Sequence, residues 1–91
     1  MTDIRIHPLD EHGYGVTVVE GSTVTDHKVR VTDDFLDTLG MPDVDETRLV
    51  EETISFLLER EKSTSIYEEF DLDVVSQRFP EYLDELRARL S

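Results

Sequence analysis

The stretch "YGVTVVEGSTVTDHKVRV" (residues 14–31) decides the fold, because apolar and polar side chains alternate on both sides of a two-residue turn. Gly21 and Ser22 form this turn, since glycine at the first loop position supplies the positive φ of a type II′ hairpin. The turn sets the strand register, and the predicted pairs are Glu20 with Thr23, Val18 with Thr25, Val16 with His27, and Tyr14 with Val29. One face of the hairpin is then mostly apolar and the other mostly polar, which is typical of an antiparallel sheet covered on one side.

The two faces of the hairpin differ in the side chains they carry. We expect the apolar face to be buried, and it carries Tyr14, Val16, Val18, His27, Val29 and Val31. The other face carries Thr17, Asp26, Lys28 and Arg30. Upstream, "DIRIH" (residues 3–7) alternates in the same way, with Ile4 and Ile6 on one side, and predicts a third strand.

Helix signals replace strand signals after residue 31. Thr32 is placed to cap a first helix that Gly40 ends. Asp43 and Glu46 resemble a capping box at the start of the longest helix, from about residue 44 to 61. The sequence therefore predicts an α+β fold: a three-stranded antiparallel sheet followed by four or five helices packed on one face. We expect one domain over residues 1–91, with a β-meander in 1–31 and a helical part in 32–91.

The segment "SIYEEFDLDVVSQRFPEYL" (residues 65–83) has apolar residues at helical spacing but contains several capping signals. These signals are a capping box of Ser65 with Glu68, a cap at Asp71 or Asp73, and Pro80 at the first position of a helix. Because the residue before a proline avoids the helical region, Phe79 marks a corner. The segment therefore predicts three short helices, the first of them starting at Ile66.

Net charge is the strongest global feature, with 22 acidic residues against nine basic ones and a formal charge of −13. Only two of the basic residues are lysines, Lys28 and Lys62. An acid-rich and lysine-poor surface resembles those of haloarchaeal proteins, which implies adaptation to a salty cytoplasm. The alternative is a surface that docks on a basic partner or mimics nucleic acid. The sequence leaves both interpretations open.

The same composition argues against several classes of function. The chain contains no cysteine, so disulfides, thiolate metal sites and a cysteine nucleophile are excluded, and a reducing cytoplasm is the expected location. No apolar run approaches the roughly 18 residues of a membrane span. The one basic patch, formed by Arg5, Lys28 and Arg30, is too small to hold duplex nucleic acid against the acidic helical part.

Two short stretches resemble known families. "FLLEREKSTSIYEEFDLDVVSQRFPEY" (residues 56–82) is similar to a set of small prokaryotic proteins that share a FLLERE…SI…EFDL…FPEY pattern and have no established activity. The resemblance therefore implies no catalytic residue. "DEHGYGVTV" (residues 10–18) resembles the first hairpin of HicB-type antitoxins, with an acidic-glycine turn before a strand that starts with an aromatic residue. This chain lacks their proline-glycine-cysteine segment and their ribbon-helix-helix tail.

The histidines are the strongest candidates for chemistry. His7, Asp10, Glu11 and His12 lie within six residues on a predicted turn, and imidazole with carboxylate suits a divalent metal. A polar turn after a strand explains the same residues. His27 lies on the face that we expect to be buried, where a hydrogen-bonded histidine is the simpler interpretation. We therefore predict no catalytic, cofactor-binding or metal-binding residue, and keep a small metal-dependent enzyme on His7, His12 and His27 as an alternative.

Aromatic residues concentrate in the C-terminal part and suggest a docking surface. The predicted interaction surface consists of Tyr67, Phe70, Phe79, Tyr82 and Leu86. The expected function is a non-enzymatic, cytoplasmic protein-binding or regulatory module without direct contact to nucleic acid or membrane. The partner is a protein, basic in one interpretation, and a homodimer is a further option. A second alternative is an antitoxin-like or transcription-related partner of a basic protein.

Overall fold

A computed structural model describes residues 2–41 and 43–90 of the chain. Its fold is α+β. The elements in chain order are β1 (Thr2–Pro8), β2 (Gly13–Glu20), β3 (Thr23–Arg30), α1 (Asp33–Leu39), α2 (Glu46–Leu58), β4 (Glu69–Asp71), α3 (Leu72–Arg78) and α4 (Tyr82–Leu90), with a 3₁₀ turn at Ser63–Ser65 between α2 and β4. The predicted domain ends, Met1 and Ser91, lie outside the described residues.

The first three strands form the antiparallel meander that the sequence predicts. The β2–β3 register is confirmed at all four predicted pairs, from Glu20↔Thr23 at the turn to Tyr14↔Val29. Gly21 has φ of 60°, and every non-glycine residue in the described ranges has negative φ, as a type II′ turn requires. The whole predicted apolar face of the hairpin is buried.

The prediction of a three-stranded antiparallel sheet with four or five helices is wrong. The sheet has four strands in the order β1-β2-β3-β4, and β4 runs parallel to β3. Among the described residues there are four α-helices. The helix predicted to start at Ile66 from a capping box of Ser65 and Glu68 does not form. Instead, Ser63–Ser65 makes a single 3₁₀ turn and the chain then extends into β4.

Pairing with β3 explains why this segment is extended rather than helical. The Lys28 N–H donates to Glu68 O at 2.7 Å, and Phe70 lies opposite Val29 with its side chain buried. A strand of three residues is too short for alternation to be visible in the sequence, whereas a capping box is a purely local signal. Tertiary pairing therefore overrides the local helix preference here.

Helix boundaries follow the predicted caps in part. Thr32 Oγ1 accepts a hydrogen bond from Phe35 N at 3.1 Å and Gly40 ends α1 in the left-handed region, so both predictions are confirmed. Asp71 is confirmed as the cap of α3, since its carboxylate accepts from Val74 N at 3.2 Å. These caps satisfy backbone N–H groups that have no partner within their own helix.

Two other boundary predictions are wrong. Asp45, rather than Asp43, caps α2, and its carboxylate accepts from Thr47 N at 3.0 Å. This placement shortens the helix from the predicted 44–61 to Glu46–Leu58. Pro80 is not the first helical residue, because α4 begins at Tyr82. The Tyr82 N–H donates to Phe79 O, so a turn around the proline precedes the helix.

Tyr82 lies in the core, where its ring packs against residues of α1 and α2. Its side chain is fully buried, with ring centroids 6.0 Å from Phe35 and 5.1 Å from Phe56. Its hydroxyl lies 2.6 Å from Thr53 Oγ1, which itself donates to Leu49 O. Burial raises the pKa of the Tyr82 phenol well above its usual range, so the group stays neutral.

Two arginines, Arg60 and Arg89, form ion pairs between α4 and the C-terminal end of α2. Arg60 bonds Glu85 at 3.0 Å and lies over the Phe56 ring, with the guanidinium carbon 3.6 Å from the ring centroid. Arg89 bonds both Glu85 and Glu59. These two cations thus link α4 to the end of α2.

We expect Tyr82→Phe to cost about 1 kcal/mol of unfolding free energy, because only the phenol hydrogen bond is lost. Tyr82→Ala should cost about 3–5 kcal/mol, because it leaves a large cavity in the core. Chemical denaturation followed by circular dichroism measures both values. Equal effects of the two substitutions would show that the ring is not packed as described.

Candidate functional site

The predicted aromatic surface is divided between core and exterior. Phe70, Tyr82 and Leu86 are buried, so their side chains are not available to a partner in this structure. Tyr67 is 53% exposed and Phe79 is half-buried. The Arg78 guanidinium carbon lies 5.2 Å from each of their ring centroids, and the same group pairs with Glu61 at 3.2 Å. Of the predicted surface, only Tyr67 and Phe79 are appreciably accessible to solvent, and the rings of both already contact Arg78.

The three histidines lie apart. His7 is exposed on β1, and His12 Nδ1 lies 3.6 Å from Glu46 Oε1. His27 is buried, as predicted, and its Nδ1 lies 2.8 Å from Tyr67 O. Because a carbonyl oxygen only accepts, Nδ1 carries a proton here. Within residues 2–41 and 43–90, no three histidine or carboxylate side chains converge as metal ligands, so the histidine-based enzyme lacks an assembled site there.

The outer edge of β3 is only partly covered by β4. β3 spans Thr23–Arg30, but β4 pairs with it only at Lys28, Val29 and Arg30. Since the Lys28 N–H points to β4, the backbone groups of every second residue of β3 point to this same side. The N–H and C=O groups of Val24 and Asp26 therefore face a side where no described strand pairs with them.

An open cleft of about 800 Å³ runs beside this unpaired edge. One wall is the segment that connects α2 to β4, and the other is β3 itself from Val24 to Lys28. The connecting segment contributes Ser63, Thr64, Ile66 and Glu68 to the lining, and β4 contributes Glu69. Val24 is 60% exposed, which makes it an unusual apolar side chain on the solvent face of the sheet. The cleft thus combines unpaired backbone groups with an exposed valine.

A second groove of about 440 Å³ continues the cleft across the outer face of the sheet. The two share Leu9, Lys28 and Glu69. The turn between β1 and β2 folds back here, with the Leu9 N–H donating to Gly13 O at 2.8 Å. The His7 imidazole covers Gly15 so closely that a Cβ at that position would overlap it. Glycine at position 15 therefore leaves room for the His7 imidazole to lie against β2.

Glu20 fixes the position of the far wall of the cleft. Its carboxylate accepts a hydrogen bond from Ser63 N at 3.0 Å, which ties the connecting segment to the end of β2. The hydroxyl and the backbone N–H of Ser63 beside this carboxylate hold the pKa of Glu20 below its usual value. These contacts therefore favour the ionised form of Glu20.

Sequence reasoning did not identify Val24, Leu9 or the segment 63–69 as parts of a site. One signal was available for Val24, because the predicted register places this apolar residue on the polar face of the hairpin. No comparable signal marks residues 63–69, since their role depends on where β4 begins.

Comparison of the chain with protein-family models, curated proteins and solved structures finds no match. In the described ranges, none of the helices combines the length and the apolar character that crossing a membrane requires.

We expect amide hydrogen exchange to distinguish the paired and unpaired parts of β3. The Lys28 amide, bonded to Glu68 O, should exchange at least about a hundredfold more slowly than the amides of Val24 and Asp26. NMR-detected exchange measures all three amides in one sample. Uniform protection along β3 would show that another part of the chain covers the edge.

We expect Glu20→Gln to destabilise the protein at neutral pH, because glutamine keeps the acceptor oxygen but not the charge. A carboxyl group whose folded-state pKa is lowered stabilises the fold above its unfolded pKa, and this contribution is lost as the pH falls through the folded pKa. The difference between wild type and variant should therefore vanish in acid. Urea unfolding across a pH series tests this, and a difference that persists in acid would contradict the role of the charge.

Proposed function

We propose that this chain is a non-enzymatic protein-binding module that accepts an extended segment of a partner protein as an added strand along β3. The observation that carries the proposal is the unpaired backbone of Val24 and Asp26 beside an open cleft. Unpaired N–H and C=O groups on a sheet edge are a template for another strand, and addition of a peptide strand is a recurring mode of recognition.

The contrast between the two edges of the sheet supports this choice. β1 is the other edge, and it carries an Arg5–Asp3 ion pair at 2.9 Å and ends in Pro8. Charged side chains and proline are features that discourage pairing at an edge. The open part of β3 has no proline and carries one charged residue, Asp26, two positions after Val24, a β-branched residue that favours cross-strand contact. The unprotected edge is thus β3.

The proposal includes the antitoxin-like role as one of its forms, because an antitoxin of this kind would hold a segment of another protein. Cytoplasmic location belongs to the same proposal. Tyr67 and Phe79 lie outside the cleft lining and have no assigned part in it. A homodimer would use the same edge of β3, and its formation is one possible outcome of the tests.

The direct test is selection of short peptides from a random display library against the folded chain. Binding of the best sequence is then followed by NMR, and we expect the amide shifts of Val24 and Asp26 to change most. Methylation of the peptide backbone at successive nitrogens gives a sharper criterion. Because a strand presents alternate N–H groups to its neighbour, methylation should abolish binding at every second position only. Loss of binding at all positions or at none would contradict strand addition.

We expect Val24→Pro to abolish binding of the selected peptide, because it removes an N–H group that faces the open edge. The β2–β3 hydrogen bonds should survive, since proline is tolerated on the exposed side of an edge strand. Val24→Ala is the matched control, which shortens the side chain but keeps the N–H group, and it should bind more tightly than the proline variant. Isothermal titration gives the affinities, and thermal unfolding shows that both variants are folded. Equal binding by the two variants would contradict the proposal.

A further inference from the structure

We infer that the segment which docks on β3 is basic, with a cationic side chain beside Asp26 and an apolar side chain beside Val24. This inference rests on the proposed function and specifies the chemistry of its partner. It follows from the charges along the cleft and the adjoining groove, and from the direction in which strand side chains point.

The lining of the cleft and groove is acidic on balance. The carboxylates that line it are Asp10, Asp26, Glu68, Glu69 and Asp71, and the cations are Lys28 and Arg30. Neither cation forms an ion pair within residues 2–41 and 43–90. A basic segment gains from this excess of carboxylates, whereas an acidic segment is repelled.

The order of side chains along the open edge of β3 predicts the order of residues in the added strand. Val24 and Asp26 both point to the outer face of the sheet, because alternate residues of a strand share a face. A strand added beside them places its own outer-face side chains next to these two positions. The added strand should therefore carry an apolar residue and a basic residue two positions apart.

Asp26 retains the capacity to bind such a cation. Its Oδ1 accepts a hydrogen bond from Thr17 Oγ1 at 2.8 Å, and the side chain is exposed. An ionised carboxylate has about four acceptor sites, so this bond leaves most of them for an arginine or lysine of the partner. Glu68 and Glu69 extend the negative lining on the opposite wall.

A second copy of this chain fits less well than a basic partner. The other free edge that a copy offers is β1, whose one cation, Arg5, is already paired with Asp3 at 2.9 Å. Two molecules that each carry a formal charge of −13 also repel one another. Self-association through β3 is therefore an outcome that would overturn the inference.

The test uses three blocked peptides that repeat Val-Thr-Xaa-Thr, where Xaa is arginine, serine or glutamate. They differ only at Xaa, the residue that falls beside Asp26 when valine lies beside Val24. We expect the arginine peptide to bind most tightly at low salt and the glutamate peptide least. NMR shifts at Val24 and Asp26 locate each peptide, and added salt should weaken the arginine peptide most.

Protein variants of equal net charge separate local from long-range effects. The first combines Asp26→Asn, Glu68→Gln and Glu69→Gln in the cleft. The matched control combines Glu11→Gln, Asp37→Asn and Glu51→Gln, three exposed acids outside the cleft lining. We expect roughly tenfold weaker binding of the arginine peptide to the cleft variant and a change within about twofold for the control.

The outcomes distinguish this inference from the proposed function. If all three peptides bind equally along β3, the inference on charge fails while strand addition stands. If none of them shifts Val24 or Asp26, strand addition itself is contradicted by this test and the inference falls with it. Equal losses in the two variants would show a general effect of net charge, and dimers with protected Val24 and Asp26 amides would identify a second copy as the occupant. Each of those two results would overturn the inference.

Discussion

The parallel pairing of β4 with β3 is the interaction on which the rest of the structure depends. It consists of three residue pairs, yet it places Phe70 in the core opposite Val29 and lets Asp71 cap α3 directly afterwards. The same short pairing determines where the sheet is left open, because it begins only at Lys28 and β4 does not reach the earlier residues of β3. A strand long enough to cover all of β3 would have closed the edge, and the cleft would not exist.

The two arginines that link α4 to α2 are bonded to carboxylates, whereas the two cations of the cleft and groove form no ion pair within the described part of the chain. On the helical side, Arg60 bonds Glu85 of α4 and Arg89 of α4 bonds Glu59 at the end of α2, so both arginines link α4 to α2. On the sheet side, Lys28 and Arg30 lie among carboxylates that they do not neutralise. The arrangement of these carboxylates around the cleft is what gives the proposed partner its chemistry.

The sequence was sufficient for features determined by neighbours in the chain. The hairpin register, the buried face of the sheet and the caps at Thr32 and Asp71 follow from alternation, a two-residue turn and side chains that bond nearby N–H groups. β4 was missed because its extended form depends on β3, about forty residues earlier, while its own residues favour a helix locally. The predicted aromatic surface placed buried and exposed rings together for a similar reason, since composition does not tell which face of a short helix meets the sheet. The cleft could not be predicted from the sequence, because its position depends on β4, a strand that was not predicted.

The central claim is that a peptide joins β3 as a strand. The most direct measurement is isotope-filtered NMR of the complex between the labelled chain and an unlabelled bound peptide. The account predicts contacts between peptide backbone protons and the backbone protons of Val24 and Asp26, in the alternating pattern of paired strands. Contacts confined to the helices, or to the ring of Tyr67, would contradict it.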